Sequence, residues 1–207
     1  MHLLPCGDRA VLVELADRDA RAALAGALRA DPPPGTVDIV EGALTVLVRT
    51  RDRTDLVGVV ARLRSQSPRT PTSAAPAVPP CLVVPVTYDG PDLADLAHHL
   101  GESTAGLVTR HTGMEWVVDF AGFLPGFGYL RPAEGDQWPE VPRRANPRTR
   151  VPAGSIAAAG GWTGIYPSPS PGGWQLLGRT TLTTWDQSAD QPALLVPGRR
   201  VRFAVAP

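Results

Sequence analysis

The chain has 207 residues, enough to bury a real core in one large domain or two small ones. Its 20 acidic and 20 basic residues balance to a formal net charge of zero, which argues against a nucleic-acid binder relying on a broad basic surface. All 20 basic residues are arginine, so a Walker-type lysine, a Schiff-base lysine, a biotinylated lysine and serine–lysine amide hydrolysis are excluded within this chain.

In chain order, residues 10–15 (AVLVEL) read as a strand. Residues 17–30 are rich in alanine and leucine, open on aspartate and read as a helix, which the run Asp31-Pro32-Pro33-Pro34-Gly35 must end. Residues 37–40 and 44–48 read as two strands joined by a turn at Glu41-Gly42, and residues 54–63 as a second helix with Leu56, Val59, Val60 and Leu63 on one face. The order strand–helix–strand–strand–helix predicts a small α/β sandwich of ferredoxin-like type over residues 1–65. Residues 66–80 (QSPRTPTSAAPAVPP) have little to bury and read as a linker.

A second domain is expected over residues 81–207. Residues 81–87 restart as a strand, and residues 91–100 and 104–111 look helical, with Asp92 and Asp95 placed to suit a helix N-terminus. Beyond Met114 only short strands are expected, at 116–120, 154–159, 173–177, 194–196 and 201–205, a spacing that favours a β-barrel or sandwich. The fold class is therefore α+β. Cys6 and Cys81 match no metal or redox spacing, and neither a signal peptide nor a run of about 20 apolar residues is evident, so a cytoplasmic location is the default.

The most informative stretch runs from 120 to 180: FAGFLPGFGYL, PRRANPRTRVPAGSIAAAGGWTGIYP and SPGGWQLLGRT. Glycine and proline recur throughout, yet Phe120, Phe123, Phe127, Tyr129, Trp162, Tyr166 and Trp174 need burial or a ligand. Arg143, Arg144, Arg148 and Arg150 sit on proline-stiffened segments, where their planar forks suit a carboxylate or phosphate, with a salt-bridged surface as the alternative. Residues 151–155 and 160–164 offer backbone amides to an anion, but Ser155 has no nucleophile context and no GxGxxG is present. His98 and His99 diverge on a helix and read as a solvated face. His111 closes a helix, either as a cap or as part of a site, and Asp119 is the lone carboxylate near the aromatic run.

These three runs, with GDRAVLVEL, GALTVLVR, PVTYDGPDLADLA and PGRRVRF, resemble the KipI family, also labelled allophanate hydrolase subunit 1 and the B subunit of 5-oxoprolinase. The resemblance covers nearly all of the chain except the linker. It implies a cyclophilin-like β-barrel after the N-terminal domain. It also implies two partners: a homologous C-type subunit (allophanate hydrolase subunit 2-like) and a barrel-type A subunit. Such complexes act as ATP-dependent 5-oxoprolinases, so ATP is the implied cofactor and this chain is expected to be inactive alone. Inhibition of a histidine kinase and a part in urea or allophanate metabolism are the alternatives that the resemblance carries. The expected substrate-contacting residues are His111, Arg143, Arg148, Thr163, Tyr166 and Trp174, with Phe123, Phe127 and Tyr129 at an interface and no metal. Where family members commonly read GGQTGIYP, this chain has Trp162, which removes an amide donor and acceptor.

Overall fold

The computed structural model describes residues 1–65, 80–135 and 138–207, so the expected linker lies outside the described residues apart from Pro80. Two units are distinguished, Met1–Pro76 and Ala77–Pro207.

Local chemistry sets the helices of the first unit. The Asp17 carboxylate accepts the N–H of Ala20 at 2.7 Å and caps α1 (Arg18–Ala30), and the N–H of Asp31 closes it on the Ala27 carbonyl before the three prolines. Asp52 likewise accepts from the N–H of Asp55 at 2.9 Å at the start of α2 (Arg53–Ser65). Both helices cover one face of an antiparallel sheet whose strands are β1 (His2–Pro5), β2 (Ala10–Glu14), β3 (Thr36–Glu41) and β4 (Thr45–Thr50), in the order β1-β2-β4-β3. Val11, Val13, Val46 and Val48 of the sheet pack on Ala25, Leu28, Val59 and Leu63 of the helices. Strands β2, β4 and β3 reproduce the split β-α-β of a ferredoxin-like fold, but the outer strand comes from the N-terminus. The sequence does not predict that strand, β1, because HLLP carries a proline and no alternation. Glu41 is not a turn residue: it ends β3, is buried, and takes ion pairs from Arg21 and Arg29 of α1.

In the second unit, β5 (Leu82–Val86) leads to α3 (Leu93–His99) and α4 (Thr104–Gly113), the latter capped by Ser103. Among the described residues no helix follows, as the breaker-rich sequence predicts. The strands are β6 (Trp116–Ala121), β7 (Gly128–Pro132), β8 (Arg148–Val151), β9 (Ser155–Ala159), β10 (Trp162–Ile165), β11 (Ser170–Gly172), β12 (Gln175–Arg179) and β13 (Arg200–Val205). Seven form one sheet in the order β12-β9-β10-β7-β6-β13-β5, while β8 and β11 form a separate ribbon.

The seven-stranded sheet nearly closes into a barrel. Thr87, just beyond β5, exchanges two 2.9 Å backbone hydrogen bonds with Arg179 at the end of β12. At this seam Gly178 brings its backbone so close that a Cβ would stand 2.3 Å from the Thr87 carbonyl, so a side chain would force the seam apart. The barrel core gathers Val84, Leu107, Trp116, Val118, Leu130, Ile156, Leu177 and Phe203.

Four strands, β7, β8, β10 and β11, go beyond the sequence expectation, since glycine, proline and arginine mask their alternation. Residues 194–196, expected as a strand, form none: Trp185 and Ala193 make an isolated bridge, and the Leu195 side chain joins the core from a loop.

Candidate functional site

The barrel wall is buried on both faces along β9, which explains why every residue of SIAAA is inaccessible. Ile156 and Ala158 face the barrel core, while Ala157 and Ala159 belong to a second cluster with Phe127, Val151, Tyr166, Trp174 and Leu176. Leu124, Tyr129 and Trp162 pack at its edge. The aromatic run thus builds a small core on the outer face of the barrel wall. Its rings meet mostly edge to face, Phe127 against Tyr129, Tyr166 and Trp174 at 5.1–5.4 Å, with Phe120 stacked on Tyr129 at 4.3 Å.

The loop between β6 and β7 carries the most strained backbone of this face. The Leu124 N–H donates to the Gly122 carbonyl at 2.8 Å and closes a three-residue turn on Phe123, whose φ is +68°. Among the described residues Phe123 is the one non-glycine with positive φ, and its ring is 57% exposed beside Phe127 and Tyr166. A turn with Pro125 and Gly126 (φ +81°) at its centre follows, closed by Phe127 N–H to Leu124 O at 3.0 Å. An apolar ring in a conformation that costs about 1–3 kcal/mol marks a place where shape is kept at the expense of stability. Phe127, expected at an interface, is instead buried and anchors the cluster; Tyr129 is half-buried and Phe123 alone of the three projects.

Hydroxyls and one guanidinium give this face its polarity. Burial raises the Tyr166 phenol, as does the neighbouring Tyr129, while Arg143, Arg148 and a hydrogen bond from the Trp174 backbone N–H pull it back. Burial also raises Tyr129, again opposed by Arg143. Both phenols therefore stay protonated at neutral pH and can donate. Arg143 is exposed and has no ion pair among the described residues, so its charge is available. A Cβ at Gly172 would stand 2.3 Å from the Tyr166 hydroxyl, so that glycine leaves room for it.

The other arginines are used differently. Asp92 accepts from Arg144 at 2.5 Å, from Arg148 at 2.7 Å and from the Leu176 N–H at 2.7 Å. Burial works to raise its pKa, but the Arg148 hydrogen bond, the Leu176 N–H and the two positive charges outweigh it and hold the carboxyl below its ordinary value. Asp92 stands at the N-terminus of α3 as the sequence suggests, but its side chain makes no capping hydrogen bond and instead ties residues 144–148 to β12. Arg148, expected to hold an anionic ligand, thus has a structural partner.

His111 belongs to the barrel core and not to an open wall. It is fully buried, stacked on Phe203 at 4.4 Å and flanked by Trp116 and Trp138. Thr163, equally buried, donates its hydroxyl to the Ala157 carbonyl, so its oxygen accepts the His111 Nε2–H at 3.0 Å. Nδ1 then accepts from the Tyr88 hydroxyl at 2.6 Å. One proton arrangement satisfies the whole chain and keeps the ring neutral, and burial pushes its pKa down to about 3. The structure therefore separates the expected site residues. His111 and Thr163 join one buried relay, Arg143, Tyr166 and Trp174 gather at the outer aromatic cluster, and Arg148 is bound to Asp92.

A trio of residues carries the edge of the cluster. A bulge between Val118 and Phe120 re-aims Asp119, which pairs with Arg131 at 3.5 Å and accepts from the Trp162 indole N–H at 3.2 Å. Trp162 therefore keeps a donor at the position where the family's glutamine is usual, and loses the acceptor. Among the described residues no three His, Cys, Asp or Glu side chains come together as metal ligands, and no helix is long and apolar enough to cross a membrane.

Residues 1–195 match the family described as carboxyltransferase domain, subdomain C and D. The chain belongs to that family. A 126-residue stretch is 49% identical to the 5-oxoprolinase B subunit of Escherichia coli O157:H7, covering 58% of this chain and 56% of that one. Over 125 residues it is 42% identical to the protein of the same name from Haemophilus influenzae, covering 59% and 58%. The chain thus spans a little over half the length of these curated relatives. The solved structure of TTHA0988 superposes with a TM-score of 0.76 at 35% identity, over 96% of this chain and 40% of that chain.

Proposed function

We propose that this family member is the B-type subunit of an ATP-dependent 5-oxoprolinase, which converts 5-oxo-L-proline to L-glutamate together with a homologous C-type subunit and a barrel-type A subunit. The observation that carries this reading is the 49% identity to a protein named as the B subunit of 5-oxoprolinase. The outer aromatic face supports it chemically. A small lactam acid presents a flat ring and one carboxylate, which suit aromatic edges, the Tyr129 phenol and the Arg143 fork.

The same face does not fit a triphosphate. Asp92 ties down Arg144 and Arg148 by direct hydrogen bonds, the sequence has no lysine, and Arg143 is the single charge that acts on both phenols. ATP is therefore assigned to the partner proteins, and no step on this chain runs through it. What this chain does is hold the acid: Arg143 pairs with the carboxylate, the half-buried Tyr129 donates to it, and the surrounding rings exclude water.

The test is co-production with the A-type and C-type partners and measurement of ATP-dependent glutamate release. Turnover is expected only in the three-protein complex, and Arg143→Ala should raise KM at least tenfold in it. Robust lactam hydrolysis by the isolated chain, or an inactive three-protein complex, would refute the reading.

A further inference from the structure

The sheet of the first unit has one covered face and one open face. Both helices pack on the face that bears Val11, Val13, Val46 and Val48, and strand alternation sets Leu12 and Leu47 on the other. Register aligns these two with further apolar residues: Leu4 pairs with Leu12, Leu12 with Leu47, and Leu47 with Val40. An unbroken apolar row therefore crosses all four strands, and its ends, Leu4 and Val40, are 41% and 43% exposed.

Opposite charges flank the row. Glu14, two residues from Leu12, is exposed and has no ion pair among the described residues. On the other flank Arg49, two residues from Leu47, is held only loosely by Asp38 at 3.7 Å, with both side chains about half exposed. A cavity of about 310 Å³ opens beside it, lined in part by Asp8, Arg9, Arg49 and Arg51.

We propose that this face is a self-association surface on which a second copy of the chain packs about a two-fold axis running along the apolar row. Rotation about that line lays Leu12 on Leu12 and Leu47 on Leu47, and it exchanges the flanks. Each Glu14 then comes over the other copy's Ala10, offset sideways by one strand, about 4.8 Å, from that copy's Arg49 across a sheet spacing of about 10 Å that the two long side chains can bridge. The charges favour this occupant: Glu14 has no ion pair among the described residues, and Arg49 on the other flank is held only by Asp38 at 3.7 Å, so the two can meet across the axis. Four strands and five residues give a face of roughly 300 Å² in projection. That is small against the ~800 Å² per partner of standard interfaces, so the dimer is reversible and concentration-dependent.

Sedimentation velocity on the purified chain, from about 1 to about 500 µM, tests this without reference to enzymatic activity. The wild type should move from monomer towards dimer. Glu14→Arg and Arg49→Glu should each weaken association at least tenfold, and the double variant should recover it. Leu47→Asp should abolish it while retaining the native circular dichroism. A monomer at every concentration would overturn the proposal, and so would a dimer indifferent to the single reversals or one that the double variant fails to restore. If the reversals broke a complex with a different protein and left self-association intact, the face would belong to that other partner and the proposal would fall.

Discussion

Replacing Asp92 by alanine would remove one carboxylate that three groups share. Its side chain is 5% exposed, and the Arg144 and Arg148 side chains are 34% and 22% exposed. The Leu176 N–H loses its acceptor at the same time. Breaking a buried pair from one side costs about 3–5 kcal/mol, because a charge is left without compensation. Here water still reaches part of each guanidinium, so the lower end, about 3 kcal/mol, is expected. At roughly 3–4 °C per kcal/mol, that is a fall of about 10 °C in the melting temperature of the barrel unit. Asp92→Asn keeps one acceptor and should lose about half as much.

The sign of the pH dependence is fixed as well. A carboxyl held below its ordinary value of 3.8 stabilises the fold above that value, and the contribution is lost as pH falls through the lower, folded-state pKa. The difference in unfolding free energy between wild type and Asp92→Ala should therefore be constant from about pH 7 to about pH 5 and shrink below about pH 4, measured by urea titration. A difference under about 1 kcal/mol at neutral pH would refute the view that Arg144 and Arg148 are structural and return them to the binding site.

Lowering the pH from 6.5 should weaken the fold by about 1.4 kcal/mol per unit down to roughly pH 4, because unfolded His111 takes up a proton that the folded ring refuses. His111→Gln should flatten that slope in chemical denaturation. Phe123→Gly should raise the melting temperature, or leave it unchanged, by relieving the positive φ. In calorimetry the same variant should bind the proposed C-type partner at least tenfold more weakly. Gly172→Ala should destabilise by about 1–3 kcal/mol through its collision with the Tyr166 hydroxyl, shown by a lower melting temperature.

The helices and the valine-rich strands are legible because their signals are local: Asp17 and Asp52 cap, prolines terminate, and Val46 and Val48 alternate. The aromatic run is legible as a shaped surface, since so many rings among glycines need one another. What stays hidden depends on pairing across sequence. Asp92 meets Arg144 and Arg148 from 52 and 56 residues away, and nothing near Asp92 separates this role from a helix cap. His111 finds Thr163 across 52 residues, so a histidine that reads as a cap or a ligand is a core residue. Strand β10 of the barrel wall escapes for a related reason. Its WTGI is buried from Thr163 to Ile165 and carries a central glycine, so no alternation announces a strand.

The doubly buried wall also constrains how the outer face can work. Ala157 lies under the aromatic cluster, yet its carbonyl holds the Thr163 hydroxyl that orients His111 in the barrel core. Displacement of β9 on one side must therefore disturb hydrogen bonds on the other, where a buried group left unpaired costs about 1–3 kcal/mol. A face so coupled to its core cannot remodel cheaply around a ligand, and it should bind with little backbone change. Specificity then has to come from what projects: the Phe123 ring, the Trp162 edge set by Asp119, and the charge of Arg143. One guanidinium can neutralise one carboxylate. In the proposed ATP-coupled reaction, further negative charge would be met by donors from another chain, which is the physical reason to expect this protein to be silent on its own.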